Sequence, residues 1–138
     1  MAWRSLAGVV LGLALWVFLF FAIGIGIGQL SPEYREAARL MFQEDDMSGF
    51  HTPQLLSNFL LFVITGLAAG WVATVVGKNP APGLVLSVLF LVLMTINHYI
   101  LEWDRFPAWY NLVVPLVIAL PILAGSRIRQ MRSSLATR

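Results

Sequence analysis

Four long apolar stretches constrain the fold of this chain more than any other feature. They run over residues 5–28, 55–76, 82–101 and 106–124, and none contains an acidic residue, lysine or arginine. A bilayer core of about 30 Å is crossed by about 20 helical residues. Lipid admits only helices or closed barrels, and residues 13–24 lack the alternation of a barrel strand. The sequence therefore predicts an all-α integral membrane protein with four transmembrane helices in a single domain, residues 1–138.

The composition excludes the other broad classes of protein. Of the 138 residues, 59% are hydrophobic and 12% are charged, whereas about a quarter of the residues of a soluble domain are charged. A chain this short cannot bury so much apolar surface in one core, and a disordered chain would be polar. The chain has no cysteine, which excludes disulfides, thiolate metal sites and a cysteine nucleophile.

The distribution of charge along the chain predicts the orientation in the membrane. The N-terminus, the loop between helices 2 and 3 and the C-terminal tail hold six basic residues and no acidic one: Arg4, Lys78, Arg127, Arg129, Arg132 and Arg138. The other two loops hold three arginines and all seven acidic residues. The positive-inside rule then places both termini in the cytoplasm.

The loop between helices 1 and 2 has the pattern of a short external amphipathic helix, residues 32–46. Ser31 fits an N-cap and Pro32 the first helical position. Apolar side chains recur at helical spacing as Tyr34, Ala37, Ala38, Met41 and Phe42. Either the protein's own bundle or a partner protein must cover this stripe. The acidic residues 44–46 beside it favour a partner, so we predict partner contacts at Tyr34, Met41 and Phe42.

Small residues in helices 1 and 2 predict where helices pack closely. Helix 1 carries Gly8 and Gly12, and helix 2 carries Gly66 and Gly70. This spacing of four residues forms a flat patch that lets two backbones approach. We expect helices 1 and 2 to pack against each other within one chain.

Polar residues near the acidic loops form a candidate metal site. His98 and Glu102 are four residues apart and so share a helix face, and His51 should lie at the same level of the membrane. Imidazole and carboxylate are ligands of zinc and similar ions. A proton relay, or polar groups that bond to one another and to lipid headgroups, remain alternatives. No nucleophile constellation or phosphate-binding loop is present, and we expect no cofactor.

Three segments resemble a class of small four-helix bacterial inner-membrane proteins of uncharacterised function. They are residues 66–73 (GLAAGWVA), 107–111 (PAWYN) and 124–129 (AGSRIR), all within residues 66–129. The resemblance implies a location in the bacterial inner membrane, but it implies no activity and no site residue.

Three functional hypotheses follow from the sequence. The first is a non-enzymatic accessory or assembly subunit of a larger membrane complex, since the chain is short and its loop helix carries an apolar stripe. The alternative is a small oligomeric transporter or lipid-handling protein with a polar site at the outer membrane face. A metal-dependent membrane enzyme is the third. The expected partners are membrane lipids and another membrane protein, and no nucleic acid.

Overall fold

The computed structural model describes the backbone of residues 2–136 and the side chains of residues 2–128. Within this range the chain is all-helical and has no strand. The α-helices in chain order are α1 (Ala2–Leu30), α2 (Pro32–Glu44), α3 (Thr52–Gly77), α4 (Ala81–Ile96) and α5 (Ala108–Ala136). A π-helical turn, Asn97–Leu101, extends α4. The tail residues Arg129, Arg132 and Arg138, used to predict orientation, lie outside the described side chains.

The four predicted spans are confirmed as helices long and apolar enough to cross a membrane: α1, α3, α4 with its π-helical turn, and α5. The observed helices begin and end at residues that differ from the predicted bounds. Helix α3 begins at Thr52 because Pro53 fits the first turn of a helix. Helix α5 begins at Ala108, not at residue 106, and continues beyond residue 124.

Helix α2 lies in the loop where the sequence predicts a short helix. The Ser31 hydroxyl oxygen accepts a hydrogen bond from the backbone N–H of Tyr34 over 3.2 Å, as expected of an N-cap. The helix ends at Glu44 because Asp45 adopts a left-handed conformation with a φ of 53°. Asp45 also donates its backbone N–H to the Leu40 carbonyl, and this closes the helix two residues before the predicted end.

The four long helices alternate in direction, so the loops meet at two ends of the bundle. We call the end formed by residues 29–51 and 102–107 the acidic end, because it carries all seven acidic residues. The opposite end, with Arg4 and Lys78, is the basic end. Helix α2 lies at the acidic end, where it contacts α1 and α3.

Helix α3 packs against α1, as predicted, through Gly8 and Gly12 of α1. The predicted patch of α3, Gly66 and Gly70, faces α5 instead. A Cβ atom added at Gly8 would lie 2.5 Å from the carbonyl oxygen of Ala73, and one at Gly12 would lie 3.0 Å from that of Ala69. Real Cβ atoms almost never approach oxygen so closely. The two glycines therefore allow the backbones of α1 and α3 to touch.

The opposite side of α3 packs against α5 even more closely. A Cβ atom at Gly70 would overlap the carbonyl group of Ile122, and one at Gly125 would overlap that of Leu67. These contacts form the core of the bundle, with fully buried Ile118 and Ile122 on α5. Helix α3 therefore packs closely against α1 on one side and against α5 on the other.

The contact of α1 with α4 is confined to the half of the bundle near the basic end. Gly12 faces the Leu86 side chain, and the ring of Trp16 lies 4.6 Å from that of Phe90. Farther along α1, Gly28 faces Arg35 of α2 instead of α4. This change of neighbour leaves a space between α1 and α4 in the acidic half of the bundle.

Candidate functional site: an amphipathic cavity at the acidic end

The space between α1 and α4 is a cavity of about 610 Å³ that is open along one side. Helix α1 forms one wall, helix α2 covers its acidic end, and the π-helical turn and the start of α5 form the opposite wall. Pockets that hold small molecules measure about 300–1,000 Å³. The cavity is therefore large enough for a ligand.

The deep part of the cavity is lined by aromatic rings. Phe20 stacks on Trp16 with 5.2 Å between ring centroids, and Phe62 of α3 lies parallel to Phe20 at 5.9 Å. On the open side, Phe21 and Ile25 are 48% and 65% exposed. This apolar region suits a hydrocarbon chain, because its rings offer dispersion contacts and no polar group that the chain would leave without a hydrogen bond.

The acidic end of the cavity is polar, and His98 in the π-helical turn is its best-defined group. Asn111 donates its amide N–H to the carbonyls of Trp103 and Phe106 over 2.9 and 3.2 Å, so its Oδ1 atom is left as an acceptor. This Oδ1 lies 3.0 Å from Nδ1 of His98, and Nδ1 must therefore carry the proton. In the neutral imidazole the other nitrogen, Nε2, is then a hydrogen-bond acceptor.

Glu102 lies beside His98 on the wall of the cavity. Its side chain is 19% exposed, and its buried Oε2 atom has no hydrogen-bond partner among the described residues. Arg105 is its ion-pair partner, with Nη1 3.7 Å from Oε2. That distance is too long for a hydrogen bond. A ligand in the cavity would meet the exposed part of the Glu102 side chain, whereas Oε2 is buried.

Two arginines of α2 face the cavity, and they differ in their partners. Arg39 forms ion pairs with Glu36 and Glu44, each over 2.7 Å, and its guanidinium lowers the pKa of Glu36 below the ordinary value. Arg35 is exposed and has no ion pair within the part of the chain that the structure describes. Arg35 is therefore the cation that remains available to a ligand.

The structure corrects the predicted partner contact at Tyr34. Its side chain is only 6% exposed within this chain, and burial raises its pKa above the ordinary value. The phenol donates a hydrogen bond to Oδ1 of Asn58 on α3 over 2.7 Å. Met41 is half-buried against the same core. Phe42, which is 63% exposed, is the most exposed of the three predicted contact residues.

Acidic residues that suggested a partner accept hydrogen bonds from residues of this chain. Asp45 accepts two hydrogen bonds from Arg105, over 2.7 and 2.8 Å, across the acidic end. The guanidinium lowers the pKa of Asp45 below its ordinary value. Asp46 accepts hydrogen bonds from the backbone and hydroxyl of Ser48. These contacts link the loops of the acidic end, although Asp45 remains 72% exposed.

The three predicted metal ligands do not come together. His98 and Glu102 both line the cavity, whereas His51 is exposed and lines a separate shallow pocket beside Glu36. Among the described residues, no group of three histidine, aspartate or glutamate side chains is placed to hold a metal ion. The structure therefore lends no support to a metal site of these three residues.

Sequence reasoning missed the cavity itself and the role of Arg35 at its edge. The available signal was the run Gly24, Gly26 and Gly28, because glycines leave space beside a helix. A Cβ at Gly24 would meet only the Tyr34 hydroxyl, at 3.9 Å, and one at Gly26 would meet nothing within 4 Å. The π-helical turn that presents His98 has no such signal in the sequence.

Comparisons with protein-family models, with curated proteins and with solved structures found no match to this chain. The resemblance of residues 66–129 to small inner-membrane proteins stays a prediction. The fold and the cavity define the chain only as a helical protein with four helices suited to crossing a membrane.

Proposed function

We propose that this protein is a multi-pass protein of the bacterial inner membrane that holds the acyl chain of one phospholipid in the cavity. This is the lipid-handling role that the sequence left as the alternative. The observation that carries the proposal is the polarity of the cavity, which has an aromatic floor around Trp16 and a polar end around His98. A phospholipid likewise has an apolar acyl chain that leads to a polar headgroup.

The depth of the cavity supports a lipid chain as its occupant. Trp16 is 14 residues from either end of α1, which is about 21 Å along a helix. If α1 crosses the membrane, Trp16 lies near the middle of the bilayer. The side opening near Phe21 and Ile25 then faces hydrocarbon, because the surface around it is apolar.

The charge distribution supports an outward-facing headgroup site. Six of the nine basic residues lie at the termini and the loop of the basic end, with no acidic residue among them. With the basic end in the cytoplasm, the cavity lies in the outer leaflet and α2 lies at the outer surface. A phospholipid of that leaflet would enter from the side and keep its headgroup beside α2.

The close helix packing toward the basic end favours lipid binding over transport of a solute. There, α1 touches α3 at Gly8 and contacts α4 at Gly12, so these three helices pack directly on one another toward the basic end. We therefore place a lipid within one chain, whereas a solute path would have to run between several copies.

The proposal is tested by native mass spectrometry of the protein released from mild detergent. We expect the wild type to retain one phospholipid. Gly24→Phe should lose it, because the new ring fills the cavity beside Tyr34. Gly26→Phe is the matched control, since it adds the same ring outside the cavity. Equal retention by both variants, or none by the wild type, would contradict the proposal.

The accessory-subunit role keeps one supporting observation, at the exposed end of α2. Phe42 is 63% exposed, and a membrane partner seated there would cover it. Phe42→Ser should then abolish co-purification of that partner and leave the thermal stability of the isolated protein unchanged. An unchanged set of co-purified proteins would remove this second candidate.

A further inference from the structure

The polar end of the cavity carries hydrogen-bond acceptors on one wall and a cation on its cover. On the wall formed by the π-helical turn and the loop after it are two acceptors, Nε2 of His98 and the carboxylate of Glu102. On the cover formed by α2 is Arg35, an exposed cation that lines the cavity and has no ion pair among the described residues. A ligand that satisfies both sides must bring hydrogen-bond donors to one and negative charge to the other.

We infer that the cavity selects phospholipids whose headgroup joins a phosphate to a primary ammonium group, with phosphatidylethanolamine as the probe. This inference rests on the proposed function, because it assigns the headgroup of the lipid held there. The phosphate lies at Arg35, where a guanidinium forms strong hydrogen bonds to phosphate oxygens. The ammonium lies at Glu102 and His98 and supplies the missing donors.

The two other common headgroup types fit this arrangement less well. The quaternary ammonium of phosphatidylcholine carries no N–H, so it could donate no hydrogen bond to the Glu102 carboxylate or to Nε2 of His98 in this partly buried site. Phosphatidylglycerol has hydroxyl donors but brings no positive charge, so Glu102 would be offset by Arg105 alone, 3.7 Å away. The difference among the three lipids lies entirely at the end of the headgroup, so comparing them isolates that contact.

The test is a competition among the three phospholipids with identical acyl chains. Delipidated protein in mild detergent is mixed with equal amounts of each, and retained lipid is measured by native mass spectrometry. We expect about tenfold more phosphatidylethanolamine than phosphatidylcholine, as for loss of one hydrogen bond to an ionised group. Glu102→Gln should remove this preference. Asp104→Asn, a charge change two residues away on an exposed side chain, should preserve it.

Arg35→Gln provides a second, independent readout, since all three lipids carry a phosphate. It should lower retention of every lipid without changing their order. Equal retention of the three lipids by the wild type would overturn the inference and leave the proposed function standing. Failure of all three to bind, with Gly24→Phe without effect, would overturn the proposed function itself.

Discussion

The phenol of Tyr34 donates a 2.7 Å hydrogen bond to Oδ1 of Asn58 and so joins α2 to α3 at the wall of the cavity. Tyr34 also meets the ring of Phe50 edge-on at 6.1 Å. Neighbouring Ala37 is 1% exposed. Helix α2 is therefore an integral part of the bundle, and the cavity beneath it has a fixed cover.

Replacing Tyr34 by phenylalanine should weaken this cover. The change leaves the packing in place but removes one donor from a partly buried acceptor, for a loss of about 1 kcal/mol in the free energy of unfolding. Denaturation in mixed detergent micelles measures it. Tyr99→Phe is the control, because Tyr99 is 42% exposed. An equal effect of the two variants would show that the hydrogen bond to Asn58 contributes nothing.

The ion pair between Asp45 and Arg105 should make the stability depend on pH in the acidic range. Because Arg105 lowers the pKa of folded Asp45 below 3.8, the pair stabilises the protein above that pH. Its contribution is lost as the pH falls through the lower folded value. Asp45→Asn tests this cleanly, since asparagine also tolerates the left-handed conformation.

The measurement is the thermal midpoint of wild type and Asp45→Asn at pH 6 and pH 3. We expect the wild type to be more stable at pH 6 and the gap to narrow at pH 3. Asp104→Asn, which removes a carboxylate without an ion pair among the described residues, should match the wild type at pH 6. A gap that stays constant between the two pH values would refute this account of the loop contact.

The close contact of α3 with α5 predicts opposite effects of two glycine substitutions. Gly70→Ala would press a methyl group into the backbone at Ile122, and overpacking of this kind lowers stability by about 1–3 kcal/mol. Gly26→Ala meets no neighbour within 4 Å and should be neutral or stabilising, because alanine favours a helix over glycine. Thermal unfolding in one detergent compares them, and a tolerated Gly70→Ala would argue against the packing.

The sequence predicts local features of this fold well and long-range ones poorly. The spans follow from hydropathy because the membrane sets their length, and the N-cap at Ser31 follows from local chemistry. Periodicity also locates the apolar stripe of α2, but it cannot say what covers that stripe. The answer depends on Asn58, which is 24 residues beyond Tyr34.

The cavity is another long-range feature that the sequence did not predict. It exists because α1 contacts α4 only as far as Trp16 and faces α2 beyond it, and this is a property of three helices together. The pairing of Asp45 with Arg105 likewise spans 60 residues. His98 and Glu102 were identified from the sequence as a polar pair, but the neighbours that decide their chemistry were not.

The central claim is most directly tested with a phospholipid that carries a diazirine in its acyl chain. The protein is reconstituted with this lipid, irradiated and mapped by mass spectrometry. Phe62 is only 8% exposed and lines the cavity, so we expect label there, lost in Gly24→Phe and kept in Gly26→Phe. Val88, 51% exposed on α4, should be labelled in all three. Label at Val88 with none at Phe62 in the wild type would contradict a lipid in the cavity.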